Sequence, residues 1–155
     1  MIRPFSAFDL DHILEIERQA FPKSPYDWAT FINLHCLYPE TFWVDVETTL
    51  NQGEDLIRGY IIFSEDGHII SIAVHPLWRR KEIGKKLLER VIKYPRMKKV
   101  WAEVRKSNKG AQAFYLRMGF RVVGRIPGYY GDEDALLVRL GGIRNNPLRN
   151  LPSTP

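Results

Sequence analysis

Four short stretches of the chain combine reactive residue types with a spacing that gathers them. In Val100-Trp101-Ala102-Glu103-Val104-Arg105 an acid sits in an alternating strand, with Trp101, Glu103 and Arg105 on one face and Val100, Ala102 and Val104 on the other. An acid there needs a partner or a task. Either it pairs with a cation such as Arg105 or Arg121, or it accepts a proton as a general base, directly or through water. In Asn108–Phe120 the residues Ala111, Phe114, Tyr115 and Met118 fall at i, i+3, i+4 and i+7, one helix face. Tyr115 is thus a packed core aromatic or a phenol offered to a reaction. With a reference pKa of about 10, a phenol stays protonated at neutral pH and suits a general acid.

The other two stretches bind rather than react. From Val74 to Lys86 an apolar strand ends, Arg79, Arg80 and Lys81 form a basic turn, and a helix begins through Glu82, Ile83, Gly84 and Lys85. Free N–H groups at a helix start carry partial positive charge and receive phosphates readily. The alternative is an ordinary turn with solubilising lysines. It is not a P-loop, because the spaced glycines and the Gly-Lys-Ser/Thr end are missing. Tyr129 and Tyr130 sit in a glycine-flanked turn, where they are surface, turn or ligand-contact residues.

Charge agrees with a local anion site. Residues 79–99 hold ten Lys/Arg and two acids, a local +8 in a chain of net +5, so the other residues sum to −3. That excludes a general basic coat for nucleic acid, although a solvated helix face explains the same count. The single cysteine, Cys36, excludes a disulfide framework and a cysteine-rich zinc site, and the four histidines lack metal-ligand spacing. No metal is expected. No apolar run reaches the roughly 18 residues of a membrane helix, and Met1–Leu10 lacks an apolar signal core. The expected setting is soluble, reducing and cytoplasmic, with no membrane partner.

Periodicity and turn residues supply the elements that position these groups. Strands are expected at Met1–Ser6, with Pro4 marking an edge, and at Thr41–Glu47, Leu56–Ser64, His68–His75, Lys98–Arg105, Phe120–Ile126 and Asp134–Leu140. Helices are expected at Ala7–Phe21, at Tyr26–Leu37 behind a Ser24 cap and Pro25, at Glu82–Tyr94 and at Lys109–Met118. The nearly unbroken apolar run Ile69–Val74 predicts a central strand covered on both faces. The order β-α-α-β-β-β-α-β-α-β-β implies an α/β (α+β) fold, a mixed sheet of six or seven strands flanked by about four helices. One domain over residues 1–140 is expected, with a mobile tail over 141–155.

Arg79-Arg80-Lys81-Glu82-Ile83-Gly84 resembles the Q/R-x-x-G-x-G/A signature of the GCN5-related N-acetyltransferase (GNAT) family, with Glu82 at the usual first glycine. Asn108-x-x-Ala111-x-x-Phe114-Tyr115-x-x-x-Gly119-Phe120 is similar to the second signature of that family at every fixed position. Glu103-Val104-Arg105 followed by Asn108, together with Tyr129-Tyr130, resembles its ribosomal-protein alanine and protein N-terminal acetyltransferase branch. The resemblance implies a GNAT fold and acetyl-CoA as cosubstrate. The cosubstrate would be held by Ile72, Ala73, Val74, Arg79, Arg80, Lys81, Glu82, Ile83, Gly84, Lys85 and Asn108. It implies Glu103 as proton acceptor and Tyr115 as proton donor. It places an entering peptide N-terminus between Phe21, Pro22 and Tyr26 on one wall and Tyr129 and Tyr130 on the other.

The activity implied is acetyl transfer directly to a protein α-amine, with a ribosomal protein as the branch's target and no direct nucleic-acid partner. Two alternatives stand beside it. One is a GNAT enzyme for small-molecule amines, and the other is an acyl-CoA-binding module without catalysis.

Overall fold

The computed structural model describes residues 1–48 and 53–141. The expected tail lies, apart from Gly141, outside them, as do residues 49–52 of the expected polar loop. Among the described residues the chain forms β1 (Ile2–Pro4), α1 (Leu10–Ala20), α2 (Trp28–Leu37), β2 (Phe42–Thr48), β3 (Asp55–Phe63) and β4 (Ile69–Val74). These are followed by α3 (Ile83–Ile92), β5 (Val100–Arg105), α4 (Lys109–Arg117), β6 (Arg121–Ile126) and β7 (Ala135–Leu140). The order is the expected one, and the architecture is the mixed α/β arrangement of the GNAT fold. No helix among the described residues is long and apolar enough to cross a membrane.

The chain divides into two compact units. Among the described residues, the first comprises those within 1–64 and 69–90, the second those within 65–68 and 91–141. In the first, four antiparallel strands run in the order β1-β2-β3-β4, and Pro4 lies on the edge strand as its missing N–H requires. Ile13 and Ile16 of α1 and Phe31 of α2 bury against Phe42, Val44, Tyr60 and Ile62 of the sheet. Gly59 permits a close approach: a Cβ there would lie 2.9 Å from the Ala73 carbonyl oxygen and 3.3 Å from the Ile83 side chain.

Three expectations about this unit need correction. The first helix is split: a 3-10 turn at Ala7–Asp9 precedes α1, because Ser6 and Asp9 form a capping box that tightens the start. The second helix begins at Trp28 rather than Tyr26. Its cap is Asp27, not Ser24, since the Asp27 carboxylate reaches the Thr30 N–H at 2.8 Å. The apolar run Ile69–Val74 is no central strand: β4 ends its sheet, and Ile70, Ile72 and Val74 are half-exposed.

In the second unit three antiparallel strands run β5-β7-β6. Val100, Ala102 and Val104 of β5 are buried, and Trp101, Glu103 and Arg105 are half-exposed, as the alternation predicts. Gly67, at φ +106°, passes so close to Lys99 that a Cβ would stand 1.8 Å from its carbonyl oxygen. Only glycine fits. That approach lets the Trp101 N–H donate to the Gly67 carbonyl at 3.0 Å and lays His68 beside β5.

Candidate active site

Glu103 is held by β5 on its half-exposed face, with its side chain 15% exposed. Its partner is neither Arg105 nor Arg121. His68 Nε2 lies 2.6 Å from Glu103 Oε2, and the imidazole stacks on Trp101 at 5.3 Å with the planes 4° apart. The sequence reading did not single out this histidine for the site. Its signal was the Gly67 beside it, whose close approach to Lys99 brings His68 across. Arg105, two residues on, donates to Asp132 at 2.8 Å and to Glu133 at 3.0 Å, and its guanidinium sits 4.2 Å over the Tyr130 ring. That brace fixes the Tyr129-Tyr130 turn, whose rings meet edge to face at 4.9 Å.

Tyr115 projects from α4, 4% exposed, with its ring against Phe114 and Phe120. Its hydroxyl makes no hydrogen bond among the described residues, yet no fully enclosed polar side-chain atom there lacks a partner. The hydroxyl is therefore not fully enclosed. Burial of the phenol pushes its pKa well above the usual value, and the nearby Tyr130 and Glu103 raise it further. Glu103 acts likewise on Tyr129, after burial. A carboxylate felt by two phenols, with Tyr130 beside one of them, brings Glu103, Tyr115, Tyr129 and Tyr130 into one constellation. Asn108 caps α4, its Oδ1 accepting from the Ala111 N–H at 3.0 Å.

The basic turn belongs to the first unit. His75 is anchored through its N–H to the Arg58 carbonyl at 2.8 Å, and its Nδ1 accepts from the Leu77 N–H at 3.2 Å. After the 3-10 turn Pro76–Trp78, Arg80 and Glu82 take left-handed φ values of 63° and 61°, with Lys81 between them at negative φ. Alternation of this kind curls successive N–H groups toward a common point, an anion-binding geometry. Glu82 thus adopts the conformation its position demands of a glycine. Its carboxylate leans along the helix, 3.9 Å from the Lys85 ammonium. The Lys86 N–H donates to the Glu82 carbonyl at 2.9 Å, so the N–H groups of Ile83, Gly84 and Lys85 precede the first helical bond and are available to a phosphate.

Support comes from below. Buried Asp45 accepts from Arg58 Nε at 2.6 Å, Arg58 lies 5.5 Å from the Trp78 ring centre, and Lys81 Nζ lies 5.6 Å from it. Ala73 is buried, whereas Ile72 and Val74 are half-exposed on β4. On the α1–α2 loop, Phe21 and Tyr26 pack partly into the core and Pro22 is exposed. No group of three or more metal-ligating side chains occurs among the described residues.

The comparisons with known proteins bear on both units. Residues 10–120 match the model of the acetyltransferase (GNAT) family. The chain is 40% identical over 146 residues to an uncharacterised N-acetyltransferase of Methanocaldococcus jannaschii, covering 89% of each chain. It is 32% identical over 150 residues to an N-alpha-acetyltransferase of Saccharolobus solfataricus, covering 84% of this chain and 86% of that one. The structure of the ribosomal-protein-S18-alanine N-acetyltransferase from Escherichia coli superposes with a TM-score of 0.71 at 27% identity, over 90% of this chain and 92% of that one. With its fold, its two signatures and these relatives in agreement, the chain belongs to the GNAT acetyltransferase family and is an N-acetyltransferase.

Proposed function

We propose that the chain transfers the acetyl group of acetyl-CoA directly to the α-amino group of a protein or peptide N-terminus. The observation that carries this reading is the constellation of Glu103, Tyr115 and the braced Tyr129-Tyr130 turn in the second unit. The likeness to N-alpha-acetyltransferases and to a ribosomal-protein alanine acetyltransferase supports a protein substrate, and a ribosomal protein is the target we favour. A cytoplasmic site of action fits such a target.

In this reading the diphosphate of acetyl-CoA rests on the N–H groups and cations of Arg79–Lys85, with Asn108 Nδ2 toward the pantetheine arm. An N–H of the Ile72–Val74 segment polarises the thioester carbonyl. The hydroxyls of Tyr129 and Tyr130 take the peptide backbone, and Phe21, Pro22 and Tyr26 are its other proposed contacts. An α-amine has a reference pKa of about 8, so its deprotonation costs little at neutral pH. Glu103 takes the proton, directly or through water, and His68 steadies the carboxylate at 2.6 Å. The amine nitrogen bonds to the carbonyl carbon, the carbon–sulfur bond breaks, and Tyr115 gives its proton to the departing thiolate. No covalent acetyl-enzyme is required.

The test compares turnover on short peptides with free N-termini against polyamines and aminoglycosides. Turnover confined to peptides supports the proposal; turnover confined to small amines replaces it.

A further inference from the structure

We propose that Glu17 is a positioning residue for the peptide substrate: its carboxylate and its carbonyl together fix both ends of the Phe21–Tyr26 loop. This rests on the reading of that loop as one wall of the peptide site. Glu17 lies on α1, 2% exposed, on the face where Ile13 and Ile16 are buried. A leucine would pack there without the cost of burying a carboxylate. The polar atoms of Glu17 are committed instead. Its carbonyl oxygen accepts from the Phe21 N–H at 2.8 Å, where the loop begins. Its Oε1 accepts from the Tyr26 N–H at 3.0 Å, where the loop ends. One residue thus closes a six-residue span that carries all three side chains of the wall.

The second carboxylate oxygen extends the connection to the sheet. Oε2 accepts from the Tyr60 hydroxyl on β3. That hydroxyl has one proton to give, so the Ser71 hydroxyl on β4, 2.8 Å away, donates to the Tyr60 oxygen. Ser71 directly precedes Ile72, the start of the segment proposed to polarise the thioester. The Tyr26 ring packs edge-on to Phe31, and Phe31 packs edge-on to Tyr60, so the loop end is held by aromatic contact as well. Burial raises the pKa of the Glu17 carboxyl, while the Tyr26 and Tyr60 donors oppose that rise.

Glutamine can meet the same demands. Its carbonyl accepts from the Tyr26 N–H, its amide donates to the Tyr60 oxygen, and the Tyr60 proton turns to Ser71. Leucine keeps the backbone bond to the Phe21 N–H but can make neither side-chain bond. In the full chain, Glu17→Leu is expected to raise the peptide KM about tenfold or more, with the acetyl-CoA KM changed less than about twofold, and Glu17→Gln is expected to stay within about threefold of the parent on both. Hydrogen exchange at the Tyr26 amide is read on the same proteins. It should quicken at least about tenfold in Glu17→Leu and keep its protection in Glu17→Gln.

An unchanged peptide KM in folded Glu17→Leu overturns the inference, as does an equal rise in both KM values. Should Glu17→Leu not fold, Tyr60→Phe removes one donor and leaves the ring. A peptide KM raised about threefold with acetyl-CoA unaffected then supports the inference, and no selective change overturns it. If the parent acetylates no peptide, the proposed function fails instead, and the Tyr26 exchange alone decides whether Glu17 holds the loop.

Discussion

Replacing Tyr115 by phenylalanine separates chemistry from structure at the proposed acid. The ring contacts with Phe114 and Phe120 are retained, and the hydroxyl that is lost has no hydrogen bond among the described residues. No buried partner is left unsatisfied, so stability should change by less than about 1 kcal/mol. A positioned general acid contributes about 10²- to 10⁴-fold, equivalent to roughly 2.7–5.4 kcal/mol of barrier. Turnover should fall within that range while the acetyl-CoA Kd holds steady. The phenol also bears on the pH profile. Burial first, then Tyr130 and Glu103, raises its pKa, so the proton is present throughout the alkaline range in which an ordinary tyrosine begins to lose it near about pH 10. The parent should show no loss of turnover from this group below about pH 10. Continuous assay of thiol release from pH 6 to 10, with urea unfolding and acetyl-CoA titration of both proteins, reads every term. Retention of more than about a tenth of the parent rate by a folded Tyr115→Phe refutes the assignment of the acid.

Three further substitutions probe the groups that hold the site. Glu82→Gly relieves a left-handed side-chain residue, worth about 1–2 kcal/mol, against a glycine entropy cost of about 0.5–1 kcal/mol. Calorimetry should therefore show equal or slightly higher stability, and titration should show acetyl-CoA bound roughly two- to fivefold tighter, with Glu82→Gln giving the charge part alone. Arg58→Met strands the buried Asp45 carboxylate and should cost about 3–5 kcal/mol in urea unfolding, most of it recovered by adding Asp45→Asn. Asp9 is raised by burial, but the Arg3 guanidinium and the Ser6 N–H outweigh that and hold it below the usual carboxylate range. A depressed folded pKa stabilises above the unfolded value of about 4 and is lost as pH falls through the folded one. Asp9→Asn should thus be less stable at pH 7 by about 1–3 kcal/mol, with the gap closing in unfolding curves taken below about pH 4.

Local pattern carried much of the fold and much of the site. Alternation along β5 set Glu103 on the half-exposed face, and the i, i+3, i+4 spacing in α4 set Tyr115 on the buried face of its helix. Both are consequences of backbone geometry within a single element. What the pattern left out are partners distant along the chain. His68 meets Glu103 across 35 positions because Gly67 lets two backbones touch, and no periodicity encodes that contact. Asp45 meets Arg58 through strand pairing, and Glu17 meets Tyr60 across 43 positions. The apolar run of β4 was equally uninformative about position, since a continuous run does not distinguish a central strand from one at the end of a sheet. At the start of α2 the cap is Asp27, whose carboxylate reaches the Thr30 N–H, and not the expected Ser24.

Tandem mass spectrometry of a free-N-terminus peptide library, incubated with acetyl-CoA and either the parent chain or Glu103→Gln, reads the central claim most directly. Direct transfer with Glu103 as base predicts acetyl groups on peptide α-amines alone, none on the enzyme, and yields lowered about 10²-fold or more by Glu103→Gln. Acetylation confined to lysine side chains, an acetylated enzyme that passes its group on, or an undiminished yield from Glu103→Gln would contradict it.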